Sequence, residues 1–386
     1  MLKPSKLFHK ISSAFSKKKP NIIMIMIDGA RYDAIDKTPY YQELKKESAF
    51  FPNIITYAPY TIASLYALFS GIYGNINGVN GYYKAHSFDK KNCFILTQYL
   101  KENGYYAETD SPGEAVVPQQ GFDKYRLHDE FKIDFTKRHI EILYQIKDKS
   151  PFFLFLRYGG IHINMVKHVI KKYSDFDEEY FKNKNKNFEN YLKLVEESGI
   201  YLKNIIEKIK ELGLYDDSII IIFSDHGASV GDKLGEKAYG VYLYDYTINC
   251  FMYFIGKSIP RNFIARSLVR SIDVLPTILD LLKLKERGGF KKIQGKSFLP
   301  FIHGKEEERI AYSETGGLGG PTPSPEKHNV RSIRNNRWKL VYNETNNKKE
   351  LYDLEIDKDE KNNLIGKHPD IEHNLWKEIM QYGNKP

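Results

Sequence analysis

The sequence of 386 residues contains little cysteine and no long hydrophobic segment. Two cysteines, Cys93 and Cys250, are too few for a disulfide framework, and their spacing excludes a CxxC-type zinc or redox site, so both are expected to be buried thiols. The apolar runs at 22–27, 152–156 and 219–223 are far shorter than the roughly 18 to 20 residues that span a bilayer. The sequence therefore predicts no transmembrane helix.

Glycine and proline are too scarce for a fibrous or disordered chain. The sequence has 27 glycines and 16 prolines, while 41% of its residues are hydrophobic and 14% are aromatic. Such a composition is typical of a globular protein with a sizeable core. A length of 386 residues suits one large α/β unit with an appendage, or two to three domains.

Acidic residues are absent from the first 19 positions, which carry six lysines. Leu7, Phe8, Ile11 and Phe15 recur there at helical spacing, which predicts a basic amphipathic arm that contacts anionic lipid. The alternative is a solvated, disordered tail. This end also lacks an apolar signal segment and a small-residue cleavage site, so we expect a cytoplasmic protein, peripheral at the membrane if the arm binds lipid.

The whole chain carries a formal net charge of +9, from 58 Lys and Arg against 49 Asp and Glu. This excess suits an anionic substrate, a membrane surface or nucleic acid. Nucleic acid is the poor fit of the three, because the basic residues are dispersed and no module of basic and aromatic residues is present.

Apolar strands and amphipathic helices alternate after Pro20. This order predicts a large, mostly parallel sheet sandwiched by helices. The predicted strands are 21–27, 49–56, 105–109, 152–158, 218–223 and 251–255, and the predicted helices are 38–47, 61–70, 94–103, 135–146, 187–212 and 272–282.

The pattern changes near residue 285. Short strands are predicted at 309–314, 330–334, 338–342 and 350–354, with a hairpin turn at Asn335 and Asn336 and a helix at 371–382. We therefore expect a basic arm at 1–19, an α/β catalytic domain at 20–285, and a C-terminal subdomain at 286–386 with a small antiparallel sheet and a terminal helix.

Polar side chains follow two of the buried strands and begin one helix. Asp28 follows the strand 21–27, Asp225 and His226 follow the strand 218–223, and Thr61 begins the helix 61–70. Ligands gather at the carboxyl ends of parallel strands. Two carboxylates, an imidazole and a hydroxyl suit a divalent cation such as Ca, Mn or Zn. Taken singly, each residue is also explained by a turn or by a helix cap.

The order of these segments resembles the sulfatase and alkaline phosphatase superfamily, and most closely its sulfatase branch. The resemblance rests on NIIMIMIDGARYD at 21–33, TIASLYALFSG at 61–71, FFLFLRYGGIHIN at 152–164 and SIIIIFSDHG at 218–227. It continues through RWKLVYN and ELYDLEIDKDEKNNL near the C-terminus, to residue 364. The resemblance implies the alkaline phosphatase-like α/β fold.

The resemblance also implies roles for individual residues. Asp28, Asp225 and His226 would hold a metal ion, and Thr61 would be both nucleophile and metal ligand. His162 and Lys237 would contact the substrate anion or the leaving group. Further candidates compete for these positions: His168 with His162, Lys233 with Lys237, and Arg31 and His328 for the pocket.

Four departures separate the chain from sulfatases. Thr61 stands where sulfatases have the Cys or Ser that is oxidised to formylglycine, and Leu65 stands where they have Arg. Gly29 follows Asp28 in place of a second Asp, and SPGEAVVPQQ at 111–120 replaces the expected Gly-Lys-Trp-His. Phosphoesterases and phosphotransferases of the superfamily instead use a hydroxyl nucleophile after such an Asp-Gly pair.

The sequence thus favours a metal-dependent hydrolase or transferase that acts on an anionic ester. A phosphate mono- or diester, attacked by Thr61, is the leading hypothesis. The alternatives are a sulfuric ester hydrolase and a catalytically impaired protein that binds a glycan or lipid. The expected partner is an anionic ester on a small molecule, glycan or lipid, and the oligomeric state stays open.

Deletion of residues 1–19 is expected to abolish sedimentation of the protein with vesicles that contain phosphatidylserine, because the deletion removes six lysines and the apolar stripe. Vesicles of phosphatidylcholine alone serve as the control, and neither the full chain nor the shortened chain should sediment with them. Equal sedimentation of the full and shortened chains would exclude the membrane arm.

Overall fold

The computed structural model describes residues 19–81, 84–168, 178–233, 238–316 and 329–383. Their strands form one large sheet and one small sheet. In spatial order, the large sheet runs β4 (Lys124–Leu127), β3 (Tyr106–Ser111), β5 (Phe152–Tyr158), β1 (Asn21–Ile27), β6 (Ser218–Phe223), β7 (Asn249–Ile255), β2 (Ala49–Ile55) and β8 (Phe263–Ile264), and β9 (Val269–Arg270) also pairs with β2.

The centre of the sheet consists of strands that are buried on both faces. Every residue of β1, β5 and β6 is buried, and β1 is parallel to its two neighbours. Only a sheet covered on both sides buries whole strands in this way. Among the described strands of the large sheet, β7 alone runs antiparallel to its neighbours, β6 and β2.

Helices cover both faces of the sheet. Phe153 and Phe155 of β5 contact Phe69 on one face, with ring centroids 6.3 and 5.5 Å apart. Tyr158 points to the other face, where its ring stacks on that of Tyr201 at 4.5 Å. The helices are α1 (Tyr32–Ile35), α2 (Pro39–Glu47), α3 (Thr61–Ser70), α4 (Gly74–Asn77), α5 (Leu96–Glu102), α6 (Phe135–Ile146), α7 (Gly160–His168), α8 (Glu178–Phe181), α9 (Lys184–Glu211), α10 (Asp245–Ile248), α11 (Val274–Leu281), α12 (Leu299–Ile302) and α13 (Pro369–Gly383).

The small sheet is an antiparallel meander of β10 (Ala311–Gly316), β11 (Asn329–Arg334), β12 (Trp338–Asn343) and β13 (Lys348–Asp353). Its first strand is bonded to the segment that leads into α3. Ser313 Oγ donates to the Thr56 carbonyl at 2.6 Å, and the Glu314 amide donates to the Tyr57 carbonyl at 2.8 Å. The C-terminal sheet therefore braces the chain just before Thr61.

The structure confirms the predicted fold class: a mostly parallel sheet between helices, followed by a small antiparallel subdomain. Several elements differ in detail. The predicted helix 272–282 starts as a 3-10 turn, Ser271–Asp273, because the Asp273 carboxylate accepts the Arg270 amide at 3.0 Å. Helix α7 and the short strands β4, β8 and β9 were not predicted.

The first 18 residues lie outside the described ranges, so the amphipathic arm stays a prediction. The cytoplasmic location and the domain boundary at 285 stay predictions as well. Among the helices of the described residues, none is both long enough and apolar enough to cross a membrane. Cys93 and Cys250 are buried and unpaired, as expected.

A buried charge cluster closes the carboxyl end of β3. Arg138 donates to both carboxylate oxygens of Asp110 at 2.8 Å, and nitrogens of His128 and His139 lie 3.1 and 3.3 Å from Asp110 Oδ2. Burial opposes ionisation of Asp110, but His128, His139 and Arg138 hold its pKa far below the ordinary value. The cluster therefore depends on an ionised Asp110.

Asp110→Asn is expected to lower the free energy of unfolding by about 3–5 kcal/mol at pH 7, because it leaves Arg138 without its anion. The difference should stay constant above pH 3.8, the ordinary Asp pKa, and shrink below it, since the lowered pKa stabilises the fold only while Asp110 is ionised. Urea unfolding at several pH values measures it, with the exposed Asp216→Asn as control. An unchanged midpoint would contradict the prediction.

Candidate active site and metal centre

Four of the predicted site residues lie together at the carboxyl edge of the large sheet. Asp28 follows β1 and Asp225 follows β6, and these strands are parallel neighbours, so both carboxylates reach the same edge. His226 follows Asp225, and Thr61 is the first residue of α3. Residues separated by up to 198 positions in the sequence thus share one site.

The Thr61 hydroxyl lies between the other side chains. Its Oγ1 atom is 3.2 Å from Asp28 Oδ2 and 3.3 Å from His226 Nε2. His226 Nε2 in turn lies 3.5 Å from Asp28 Oδ1 and 3.6 Å from Asp225 Oδ2. One small ion could therefore be reached by a hydroxyl, two carboxylates and an imidazole.

The chemistry of these side chains fits a divalent cation. Ligand atoms of Asp28, Asp225 and His226 lie within 4.8 Å of one another, and all three residues are buried. Asp28 Oδ1 and Asp225 Oδ2 have no hydrogen-bond partner among the described residues. Buried carboxylate oxygens that lack a partner are costly unless a cation binds them. Oxygen and imidazole ligands suit Mn, Zn or Ca, and the identity of the ion stays a prediction.

The pKa values of the two carboxyl groups, Asp28 and Asp225, shift in opposite directions. Burial by itself would raise the pKa of Asp28, but Arg157, His162 and His226 hold that pKa below its ordinary value. For Asp225, burial and then the neighbouring charge of Asp28 raise the pKa to about 6. Two like charges thus face each other in a buried site, which a divalent cation would relieve.

Contacts with the backbone orient the side chains of Asp225 and His226. Gly29 has a φ of 75°, in the left-handed region that favours glycine, and its amide lies 3.4 Å from Asp225 Oδ1. His226 Nδ1 lies 2.8 Å from the Gly227 carbonyl oxygen. If Nδ1 donates to that carbonyl, Nε2 is left as an acceptor that faces Asp28, Asp225 and Thr61.

Thr61 does not cap its own helix, contrary to our expectation from the sequence. The N-cap of α3 is Tyr60, whose side chain makes no capping hydrogen bond. Thr61 lies one position inside the helix, and its hydroxyl points to Asp28 and His226 instead of to the helix amides. The placement leaves this hydroxyl available for chemistry.

His162 borders the site from helix α7. Its Nδ1 atom lies 3.8 Å from Asp28 Oδ1 and 3.5 Å from the Tyr239 hydroxyl. The Tyr239 ring also lies 5.2 Å from the His226 ring, so one tyrosine contacts both histidines. Burial lowers the pKa of His162, which favours a neutral imidazole at pH 7.

Arg157 and Glu130 complete the site, and our sequence analysis missed both. Arg157 Nε donates to Asp28 Oδ2 at 2.7 Å, and Arg157 Nη1 donates to Glu130 Oε2 at 2.7 Å. Glu130 Oε1 also lies 3.9 Å from His162 Nε2. A signal for Arg157 was present, because a single arginine in the apolar strand FFLFLRY needs a buried anion as partner. Glu130 had no such signal.

The remaining candidates that the structure describes do not lie among the proposed cation ligands. Lys237 and His328 fall outside the described residues. His168 is exposed at the end of α7, and Lys233 Nζ donates to the Tyr352 hydroxyl at 2.9 Å. Arg31 turns away and pairs with Asp33 and Asp232, each at 2.7 Å.

Comparisons with known proteins identify the family of this chain. The family model described as Sulfatase matches residues 20–284, and the model described as N-sulphoglucosamine sulphohydrolase, C-terminal, matches residues 241–385. The chain belongs to the sulfatase family. The resemblance to the sulfatase and alkaline phosphatase superfamily is thereby confirmed, and members of the sulfatase family use a divalent metal ion.

The relatives of this sulfatase-family chain are distant. The uncharacterized sulfatase YdeN of Escherichia coli is 26% identical over 257 residues, which are 58% of this chain and 44% of YdeN. Arylsulfatase K of Bos taurus is 27% identical over 206 residues, 51% of this chain and 36% of the relative. The chain therefore matches less than half the length of these curated relatives.

Solved structures show the same fold. BT4656 in complex with its substrate D-glucosamine-2-N,6-O-disulfate superposes with a TM-score of 0.75 at 16% identity, covering 96% of this chain and 99% of that one. These values identify the alkaline phosphatase-like fold of the sulfatase family. At this level of identity they say nothing of the ester that the present chain uses.

Asp225→Asn is expected to abolish the stabilisation of this sulfatase-family chain by Mn²⁺, because it removes one of two carboxylate ligands. With EDTA, the variant should unfold at the same or a higher temperature than the original protein, since the repulsion between Asp225 and Asp28 is gone. Thermal unfolding with Mn²⁺ and with EDTA measures both effects. Asp216→Asn is the control, and an undiminished Mn²⁺ effect in Asp225→Asn would contradict the metal site.

Proposed function

We propose that the chain is a metal-dependent enzyme that uses Thr61 to attack a phosphate mono- or diester. The observation that carries the proposal is the position of the Thr61 hydroxyl, 3.2 Å from Asp28 Oδ2 and 3.3 Å from His226 Nε2. A hydroxyl held among cation ligands is the arrangement that an activated oxygen nucleophile requires. Asp28, Asp225 and His226 would hold the cation.

The threonine itself argues against the chemistry of ordinary sulfatases. Their formylglycine is an aldehyde made from Cys or Ser, whereas oxidation of Thr61 would yield a ketone. An unmodified hydroxyl is the nucleophile of the phosphoester-cleaving branches that the Asp28-Gly29 pair resembles. We therefore place this chain with the phosphoesterases and phosphotransferases of the superfamily in mechanism, although its sequence belongs to the sulfatase family.

The reaction would proceed in two displacements. In the first, the bond between Thr61 Oγ1 and phosphorus forms, the bond from phosphorus to the leaving alcohol breaks, and the hydroxyl proton of Thr61 ends on that alcohol. In the second, water or an acceptor alcohol attacks phosphorus and releases Thr61 with its proton restored. Two in-line displacements give net retention at phosphorus.

The surrounding side chains orient and tune the nucleophile. Asp28 accepts a hydrogen bond from the Thr61 hydroxyl and so orients it. A bound divalent cation would supply Lewis acidity, which lowers the pKa of a coordinated hydroxyl. His162 lies 3.8 Å from Asp28 and is favoured in its neutral form, so it could accept or donate a proton beside the leaving group. Lys237 is a proposed anion contact that rests on sequence resemblance alone.

The group that carries the anionic ester is proposed only as a broad chemical class. BT4656 binds a sulfated glucosamine, and the phosphonate monoester hydrolase of Agrobacterium radiobacter shares the fold at a TM-score of 0.73 and 16% identity. The fold therefore accommodates both sulfur and phosphorus esters. We propose an anionic ester on a small molecule, glycan or lipid, with hydrolysis or transfer decided by the acceptor.

Sulfuric ester hydrolysis is the second candidate, and family membership favours it. Both matching family models describe sulfatases or a sulphohydrolase, and together they extend from residue 20 to residue 385. In this case Thr61 would attack sulfur without prior oxidation. Leu65, which replaces an arginine of sulfatases and is fully buried, argues against it because no cation stands at that position.

Thr61→Ala is expected to lower phosphoester turnover by about 10³-fold or more, because the nucleophile is lost. Thr61→Ser keeps a hydroxyl at the same position and should retain measurable activity. Aryl phosphate, bis-aryl phosphate and aryl sulfate, assayed in parallel with Mn²⁺, distinguish the two candidate functions. Mn²⁺ content should stay intact in both variants.

Undiminished activity of Thr61→Ala would exclude the nucleophile. Turnover of aryl sulfate alone would favour the second candidate. Mass analysis of the peptide that contains residue 61 adds an independent test, since a phosphoryl adduct on Thr61 is expected after rapid acid quenching of a phosphoester reaction.

A further inference from the structure

A buried arginine lies directly against a proposed cation ligand. Arg157 is the penultimate residue of the apolar strand β5, and only 3% of its side chain is exposed. Its Nε and Nη2 atoms both lie 2.7 Å from Asp28 Oδ2, while Nη1 lies 2.7 Å from Glu130 Oε2. The guanidinium is thus held between two carboxylates, one of which belongs to the cation site.

The chain leaves room for this guanidinium. A Cβ atom on Gly159 would lie 2.8 Å from Arg157 Nη1, closer than real Cβ atoms come to a neighbour, and 3.2 Å from the Phe135 ring, which is a tight contact. Glycine at 159 therefore lets the arginine fit against the backbone. Arg157 is built into the site and is not a surface side chain that happens to reach it.

The two carboxylate oxygens of Asp28 differ in their hydrogen bonding. Oδ2 accepts hydrogen bonds from Arg157 and from the Thr61 hydroxyl, whereas Oδ1 has no hydrogen-bond partner within the described ranges of the chain. A cation at the site would therefore share Asp28 with a permanent positive charge. That charge withdraws electron density from Asp28 and repels a cation bound on its other oxygen.

The negative charge of Glu130 opposes the repulsion between Arg157 and a bound cation. Its carboxylate neutralises the far side of Arg157 and is partly exposed, with 16% of the side chain accessible. The site contains three negative charges, on Glu130, Asp28 and Asp225, and one positive charge, on Arg157. The excess of two negative charges equals the charge of one divalent cation.

We propose that Arg157 lowers the affinity of this site for its divalent cation and that Glu130 limits the reduction. This inference rests on the cation site of the proposed function, and it concerns the regulation of that site by cation supply. The competing view is that Arg157 only orients Asp28, as groups hydrogen-bonded to metal ligands commonly do. Loss of such an orienting group weakens metal binding by about 10–100-fold, so the two views predict opposite signs.

The test is titration of the metal-free protein with Mn²⁺, followed by calorimetry, without any substrate. Arg157→Gln should lower the Kd for Mn²⁺ about tenfold or more, because it removes a positive charge beside Asp28. Arg157→Lys keeps the charge and should stay near the original Kd. Glu130→Gln should raise the Kd about threefold or more, since Arg157 then loses its second anion.

Weaker or unchanged Mn²⁺ binding by Arg157→Gln would overturn the inference. Circular dichroism and thermal unfolding in EDTA establish that each variant is folded. Should Arg157→Gln fail to fold, Glu130→Gln decides alone, because Glu130 lies at the surface side of the pair, and an unchanged Kd would then overturn the inference. A wild-type protein that binds no Mn²⁺, Zn²⁺ or Ca²⁺ would instead refute the cation site, and with it the proposed function.

Discussion

The site depends on one constraint: two carboxylates are buried side by side at the ends of neighbouring parallel strands. Because β1 and β6 are parallel and paired in register, Asp28 and Asp225 lie at the same edge of the sheet. Burial and the charge of Asp28 raise the pKa of Asp225, while Arg157 and two histidines hold the pKa of Asp28 down. One oxygen of each carboxylate has no hydrogen-bond partner among the residues that the structure describes, and a cation that bound both oxygens would relieve the repulsion between them.

The surrounding elements hold the Thr61 hydroxyl, the proposed nucleophile, against that pair. Helix α3 is buried from Ala63 onward, so Thr61 at its first position cannot move without disturbing the core. Ser64, one turn further, donates to the Asp225 carbonyl at 3.1 Å and so ties the helix to the second ligand strand. The small C-terminal sheet bonds to the chain at Thr56 and Tyr57 and braces the entry to the helix. Both domains therefore determine the position of one hydroxyl.

Local patterns were sufficient for much of the fold and for the ligands. The strands 21–27, 152–158 and 218–223 and the helices 61–70 and 135–146 have the bounds predicted from their apolar runs and periodicity. Strand β4 escaped prediction because its sequence, KYRL, is polar and its residues are partly exposed, so no apolar run marks it. Thr61 was expected to cap its helix, since a threonine before an apolar run is usually a cap, but the neighbouring Asp28 and His226 attract its hydroxyl instead.

The sequence by itself determined the family, the alternation of buried strands and helices, and four side chains that suit a cation, because burial and strand ends leave local signals. Tertiary structure alone decided that Arg157 and Glu130 belong to the same site. Glu130 follows a short strand at the edge of the sheet, and its approach to Arg157 results from the pairing of β3 with β4 and β5. The arginine within an apolar strand indicates that some anion lies nearby, but only this long-range pairing decides which anion it is, and these charges set the electrostatics of the site.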